Sequence, residues 1–65
     1  MEKIIELFNK TADGNGNVNL IAECNGYVDG VLKMQFSRSP FTYPDTMTDQ
    51  EIIDDLRYGV YAIYF

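Results

Sequence analysis

The chain lacks the residues from which most catalytic and metal sites are built. It has no histidine, no tryptophan and a single cysteine, Cys24. Without histidine, a serine or cysteine nucleophile has no usual general base, and zinc has no ordinary ligand set. A single cysteine also cannot form an internal disulfide. The sequence therefore predicts neither an enzyme nor a protein that holds a metal or another cofactor.

Basic residues are scarce as well, with five Lys and Arg against ten Asp and Glu and a formal net charge of −5. Such a balance repels phosphate groups and argues against direct binding of DNA or RNA. No basic residue lies between Arg38 and Arg57, yet half of the acids do, namely Asp45, Asp49, Glu51, Asp54 and Asp55. We therefore expect a protein partner with a basic surface.

Long hydrophobic segments are absent. The longest apolar run, residues 60–65, is too short to cross a bilayer, and the chain does not start with a basic segment followed by an apolar one. Together with the lone thiol, this predicts a cytoplasmic protein without membrane contact. Residues 1–65 are expected to form a single domain, which at this size needs tight packing, self-association or a partner for stability.

A helix over residues 48–58 is the clearest local prediction. Thr48 and Glu51 have the spacing of a capping box, in which each side chain accepts a hydrogen bond from the other residue's backbone amide. Met47 is placed to pack on Ile52 as a hydrophobic staple. The start of this helix is therefore specified by several signals at once.

The end of the chain is predicted to leave this helix and form a strand. Gly59 is expected to end the helix in the left-handed conformation, and residues 60–65 are β-branched and aromatic. Neither face of that strand is polar, which is typical of a covered strand or of an interface. We therefore expect another chain, either a partner or a second copy in a homodimer, to contact residues among Tyr58, Tyr61, Ile63 and Phe65.

Residues 18–37 are predicted to form a β-hairpin. A three-residue loop at 28–30 with a left-handed glycine pairs Cys24 with Met34 and places the apolar side chains of both strands on one face. The Asn-Gly pair at 25–26 then becomes a bulge or a point of twist.

The remaining elements complete an α+β fold. Residues 1–12 have apolar side chains at helical spacing and predict a short helix, although they also fit the first strand of a meander. The expected architecture is a small two-layer domain, in which the helix at 48–58 packs on an antiparallel sheet of three strands, or of four if the first segment is a strand.

The segment 38–46 contains Pro40 and Pro44 and is predicted to be an irregular connection. Its aromatic residues, Phe41 and Tyr43, have two interpretations. They fold back as a lid on the small core, or they are presented as anchors for a partner.

The run around Asp13 resembles part of an EF-hand calcium loop. With Thr11 in the first position, Asp13 and Asn15 take the third and fifth, and Gly16 takes the sixth, where the bend requires glycine. The two end ligands are missing, because the first position holds threonine and the twelfth holds Ala22. An ordinary loop is favoured, and a degenerate calcium-binding module is an alternative.

The exposed side of the predicted helix carries the main functional hypothesis. Its buried stripe consists of Ile52, Ile53 and Leu56, and the opposite side carries Glu51, Asp54, Asp55 and Tyr58. No basic residue on that side relieves the repulsion between the acids. It is either a solvated surface that keeps the protein soluble or an acidic patch for recognition, with a tyrosine at its edge.

Carboxylates one helical turn apart are spaced like neighbouring phosphates on one nucleic acid strand. In size, charge and lack of catalytic residues, the chain resembles small acidic inhibitors encoded by phages and mobile elements, which occupy phosphate-binding grooves as DNA mimics. This class-level resemblance implies a protein-binding inhibitor or modulator of a nucleic-acid-handling partner. The alternatives are a structural or regulatory homodimer and the calcium-binding module.

Overall fold

Three strands follow one another along the chain and pair as an antiparallel sheet in the order β1-β2-β3. The computed structural model describes residues 1–65. Its elements are β1 (Glu2–Ala12), β2 (Asn17–Val28), β3 (Val31–Pro44), α1 (Asp49–Tyr58) and a 3-10 turn (Ala62–Tyr64). The helix packs on one face of the sheet, here called the inner face, and the other face is the outer face. The predicted small α+β fold is confirmed.

The first segment is strand β1, so the predicted short helix over residues 1–12 is wrong and the meander alternative is right. A strand places Lys3 on the inner face beside Ile5. The prediction of a helix rests on this conflict, because a strand turns a charged side chain toward the core. The structure resolves this conflict because the Lys3 amine reaches the backbone carbonyl of Tyr64 and lies over the ring of Phe36. Lys3 is thus accommodated on the inner face while it stays exposed to solvent.

The turn between β2 and β3 has two residues, Asp29 and Gly30, and both have positive φ (51° and 77°), as a type I′ turn requires. The predicted three-residue loop and its pairing are therefore wrong, because Cys24 faces Ser37 instead of Met34. Two register shifts, on either side of the Asn-Gly pair at 25–26, restore the apolar alternation. The bulge expected at this pair is confirmed.

Strand β3 runs through both prolines of the segment predicted to be an irregular connection. It is an edge strand, paired only with β2, and an edge strand tolerates proline wherever the missing N–H would face solvent. The register places Phe41 opposite Leu20 and Tyr43 opposite Val18. Both aromatic residues therefore lie on the inner face of the sheet.

Helix α1 begins as predicted. The Thr48 hydroxyl accepts from the Glu51 amide (3.2 Å), and the Glu51 carboxylate accepts from the Thr48 amide (2.9 Å). The helix ends at Gly59, whose φ of −109° is not left-handed, so that part of the prediction is wrong. Glycine is needed there for space, since a Cβ would lie 2.7 Å from the Asp55 carbonyl oxygen. No helix of the structure is both long enough and apolar enough to span a membrane.

The residues after Gly59 turn back toward the inner face of the sheet and form no strand. The predicted strand over residues 60–65 is therefore wrong. The Tyr61 amide donates to the Leu56 carbonyl (2.8 Å), and its hydroxyl donates to the Ala22 carbonyl (3.0 Å). Only 1% of Tyr61 is exposed, and burial raises the pKa of its hydroxyl. The ring of Tyr61 thus lies next to the small side chain of Ala22 in the middle of β2.

The core lies between the inner face and the helix. Its fully or nearly fully buried members come from β1, β2, α1 and the segment after the helix, and are Ile5, Leu20, Ala22, Cys24, Ile52, Leu56 and Tyr61. Cys24 points inward as predicted, and burial raises the pKa of its thiol, as expected of a cysteine that acts as a small apolar side chain. Met47 packs against this cluster, in agreement with the predicted staple.

Candidate functional site

The exposed side of α1 forms a continuous acidic surface. The helix turns Ile52 and Leu56 into the core, which leaves four residues exposed on the other side. We call this surface the acidic face; it consists of Glu51, Asp54, Asp55 and Tyr58. The residues that the sequence placed together by helical periodicity are thus together on one exposed surface.

Each carboxylate of the acidic face is held by an uncharged donor. The three donor and acceptor pairs are the Thr48 amide with Glu51 (2.9 Å), the Gln50 side-chain amide with Asp54 (2.9 Å) and the Tyr43 hydroxyl with Asp55 (2.8 Å). These hydrogen bonds orient the carboxylates but do not neutralise them. The acidic face therefore keeps all three negative charges.

The bond between Tyr43 and Asp55 joins β3 to the helix. Burial of the Tyr43 ring, with the neighbouring carboxylate as a second cause, raises the pKa of Tyr43 to about 12. Its hydroxyl therefore remains a donor at neutral pH. Phe41 packs edge-on against Tyr61 (5.9 Å between ring centroids), and both β3 aromatics pack against the core, as the lid interpretation predicts.

No basic residue of the chain forms an ion pair with the acidic face. The two salt bridges join Lys10 to Asp49 and Arg38 to Glu23. Arg57, which directly precedes Tyr58 in the chain, pairs with no carboxylate. Its guanidinium lies instead against the rings of Tyr58 (5.0 Å) and Phe65 (4.4 Å). The three carboxylates of the acidic face therefore form no ion pair with a cation of their own chain.

The structure separates Tyr61 from the other residues predicted to contact another chain. Tyr61 belongs to the core and offers no surface to a partner. Ile63 is 83% exposed and Phe65 is 43% exposed, both at the 3-10 turn. The stack of Tyr58, Arg57 and Phe65 connects the end of the acidic face to this turn.

A second group of acids lies on the outer face of the sheet, and sequence reasoning missed it. We call it the sheet cluster; it consists of Glu6, Glu23, Asn25, Tyr27 and Arg38. The buried Asn25 amide donates to both carboxylates (3.1 Å to Glu6 and 2.9 Å to Glu23). The Tyr27 hydroxyl donates to Glu6 (2.6 Å), which raises the pKa of Tyr27, and Arg38 donates to Glu23 (3.0 Å). Glu6 and Arg38 are far from the other three residues in the sequence, and their proximity could be predicted only from the correct register of the strands.

The Asp13 run is the turn of the first hairpin. Its carboxylate accepts from the backbone amides of Asn15 (2.7 Å) and Asn17 (3.2 Å), and the bond from Asn15 is the main cause of the lowered pKa of Asp13. The turn joins two strands, whereas an EF-hand loop joins two helices. No group of three or more acidic, histidine or cysteine side chains is arranged to hold a metal ion, and the surface has no small-molecule pocket.

Comparisons with known proteins do not add to this description. No protein-family model, curated protein or solved structure matches the chain. The candidate site is therefore judged from its own geometry and charge, and the acidic face is the strongest candidate.

Proposed function

We propose that this protein is a small acidic protein-binding module that acts in the cytoplasm and inhibits or modulates a partner with a basic, nucleic-acid-handling surface. One observation carries the proposal. Three carboxylates, Glu51, Asp54 and Asp55, share one exposed helix face without an ion pair, although the chain has five basic residues.

The spacing of these carboxylates supports a role as substitutes for phosphates. Residues three and four apart on a helix have Cβ atoms about 5 to 6 Å apart, a spacing like that of neighbouring phosphates on one strand. A groove of lysine and arginine that binds a nucleic acid backbone would thus find its negative charges at similar intervals on the acidic face. Tyr58, at the end of the row, adds contact area.

The energetics favour association with a cation-rich surface. Like charges one turn apart on a helix repel each other by about a few tenths of a kcal/mol per pair, and no ion pair within the chain offsets that cost. Opposite charges brought by a partner replace repulsion with attraction, and such contacts speed encounter and depend on salt. The preset orientation of the carboxylates by Thr48, Gln50 and Tyr43 reduces the ordering cost on binding.

The first prediction tests this surface by charge reversal. Asp54→Lys combined with Asp55→Lys should leave the fold intact, because both side chains are exposed, and should weaken partner binding by well over about tenfold. The partner is captured from a cell lysate on the immobilised parent protein, identified by mass spectrometry and produced separately for titration. Retention should fall steeply between about 50 and about 500 mM salt, and added nucleic acid should displace the acidic protein.

A matched control separates position from net charge. Asp54→Lys and Glu2→Lys change the net charge equally, but the carboxylate of Glu2 makes no ion pair and lies outside the acidic face. The proposal expects loss of binding with the first variant and near-parental binding with the second. A folded double lysine variant that binds the partner at parental strength would eliminate the acidic face as the working surface.

A further inference from the structure

The helix layer covers only part of the inner face of the sheet. The molecule is 39 Å long, whereas a ten-residue helix spans about 15 Å. The radius of gyration of 12.4 Å also exceeds the value of roughly 11 Å typical of a compact chain of this length. A substantial length of the inner face therefore has no helix on it.

The uncovered part lies at the tip of the hairpin between β2 and β3. Alternation along β2 places Val28 on the same face as Cys24, and the register places Val31 opposite Val28 and Met34 opposite Gly26. Met1 packs over Gly26, where a Cβ would collide with its side chain. We call this patch the tip surface; it consists of Met1, Val28, Val31 and Met34.

The tip surface exposes apolar side chains to solvent. Its four side chains are between 40% and 61% exposed. It continues through Phe36, whose ring packs on Tyr64 at 5.5 Å, toward the exposed Ile63 and Phe65. Contiguous apolar side chains that are exposed together mark interaction sites on soluble proteins.

The charges around the tip surface suit a second copy of the same chain. The side chains of residues 1–3 and 26–35 include two acids, Glu2 and Asp29, and two bases, Lys3 and Lys33, so the side-chain charges cancel although the formal net charge of the whole chain is −5. Two copies that meet at this end therefore avoid the repulsion of the acid-rich helix. Neither Asp29 nor Lys33 has a salt bridge within the chain, so across a two-fold axis each is free to pair with the other in the second copy.

We propose that the tip surface packs against the tip surface of a second copy, forming a symmetric dimer that leaves both acidic faces exposed. The proposal goes beyond the proposed function and does not depend on it, since it concerns a different surface and a different partner. It also differs from the contact expected from sequence, because its centre is the hairpin and not the last residues of the chain.

Sedimentation velocity over protein concentrations from about 1 μM to about 500 μM tests the proposal. The parent should shift from monomer to dimer within this range. Val31→Glu combined with Met34→Glu should weaken the dimer by more than about a hundredfold, because four carboxylates would be brought together in an apolar contact. Lys33→Glu, a milder change at an exposed position, should weaken it by about tenfold.

Phe8→Glu is the matched control. Phe8 is 40% exposed, as Val28 is, but lies on the outer face opposite Ile21. This variant should dimerise as the parent does, and circular dichroism should show that every variant keeps the parental fold. A parent that stays monomeric throughout the range would overturn the proposal, even if Val31 and Met34 were then found to bind lipid vesicles or another protein. Loss of the dimer in Phe8→Glu but not in Lys33→Glu would overturn it as well.

Discussion

The acidic face and the sheet cluster contain the same kind of residue in opposite situations. In the sheet cluster, Glu6 and Glu23 share the buried Asn25 amide, and a tyrosine and an arginine complete their hydrogen bonds. On the acidic face, three carboxylates receive only neutral donors and remain exposed. The carboxylates of the sheet cluster are hydrogen-bonded within the fold. Those of the acidic face are exposed to solvent and are available to a partner.

This difference shows why a count of acids is a poor guide to function. Arg38, the only cation of the sheet cluster, is 15 positions away from Glu23 in the chain and opposite it in the sheet. Arg57, one turn or less from the acidic face, is held by aromatic rings instead of carboxylates. Proximity in sequence therefore does not decide which acids are compensated.

The largest expected effect comes from removing the amide at the centre of the sheet cluster. Asn25→Leu deletes two hydrogen bonds to charged groups and should lower the free energy of unfolding by about 2 kcal/mol, or roughly 10 °C in melting temperature. Urea denaturation measures the loss. Gln35→Leu, the same replacement at the exposed position opposite Asn25, should change little. Equal stability of the two variants would show that the sheet cluster does not hold the fold together.

A smaller loss should show the structural role of Glu51 at the start of the helix. Thr48→Ala removes half of the capping box that involves Glu51 and should cost about 1 kcal/mol. Thr46→Ala, at an exposed turn position before the helix, serves as the control in thermal unfolding. If both variants have the melting temperature of the parent, the capping box does not stabilise α1. Glu51 then has no more of a structural role than Asp54.

The smallest effect is confined to alkaline pH. The pKa of Tyr43 lies above its ordinary value of 10.0, at about 12. Because the folded state holds this proton more tightly, the contribution of Tyr43 to the free energy of unfolding is complete below about pH 10 and is lost as the pH rises toward 12. Tyr43→Phe should therefore flatten part of the fall in unfolding free energy between about pH 9 and about pH 11.5.

Denaturant unfolding at several pH values provides the measurement. Tyr58→Phe removes a hydroxyl from an exposed ring and should retain the parental profile. Identical profiles for Tyr43→Phe and the parent would contradict the hydrogen bond from Tyr43 to Asp55.

The parts of the fold that depend on neighbouring residues could be predicted from the sequence. The capping box, the buried stripe of α1 and the exposed side that became the acidic face all follow from spacings of three and four. The inward position of Cys24 follows from alternation along a strand.

The parts that depend on distant residues could not be predicted in this way. Residues 1–12 became a strand because β2 pairs with them and because Tyr64 receives the Lys3 amine. Residues 60–65 resemble a strand in composition, yet Tyr61 is drawn into a core formed by β2 and α1. Both the sheet cluster and the tip surface depend on the register between β2 and β3, which was predicted wrongly although the Asn-Gly pair at 25–26 indicated the bulge.

The most direct test of the central claim compares one matched pair of charge removals. Glu23→Gln and Asp54→Asn each delete one negative charge and keep the shape of the side chain, the first in the sheet cluster and the second on the acidic face. Urea unfolding at neutral pH should show a loss of about 1 kcal/mol for Glu23→Gln and an unchanged or slightly raised free energy of unfolding for Asp54→Asn. A loss for Asp54→Asn as large as that for Glu23→Gln would contradict the claim that the charge of the acidic face is free for a partner.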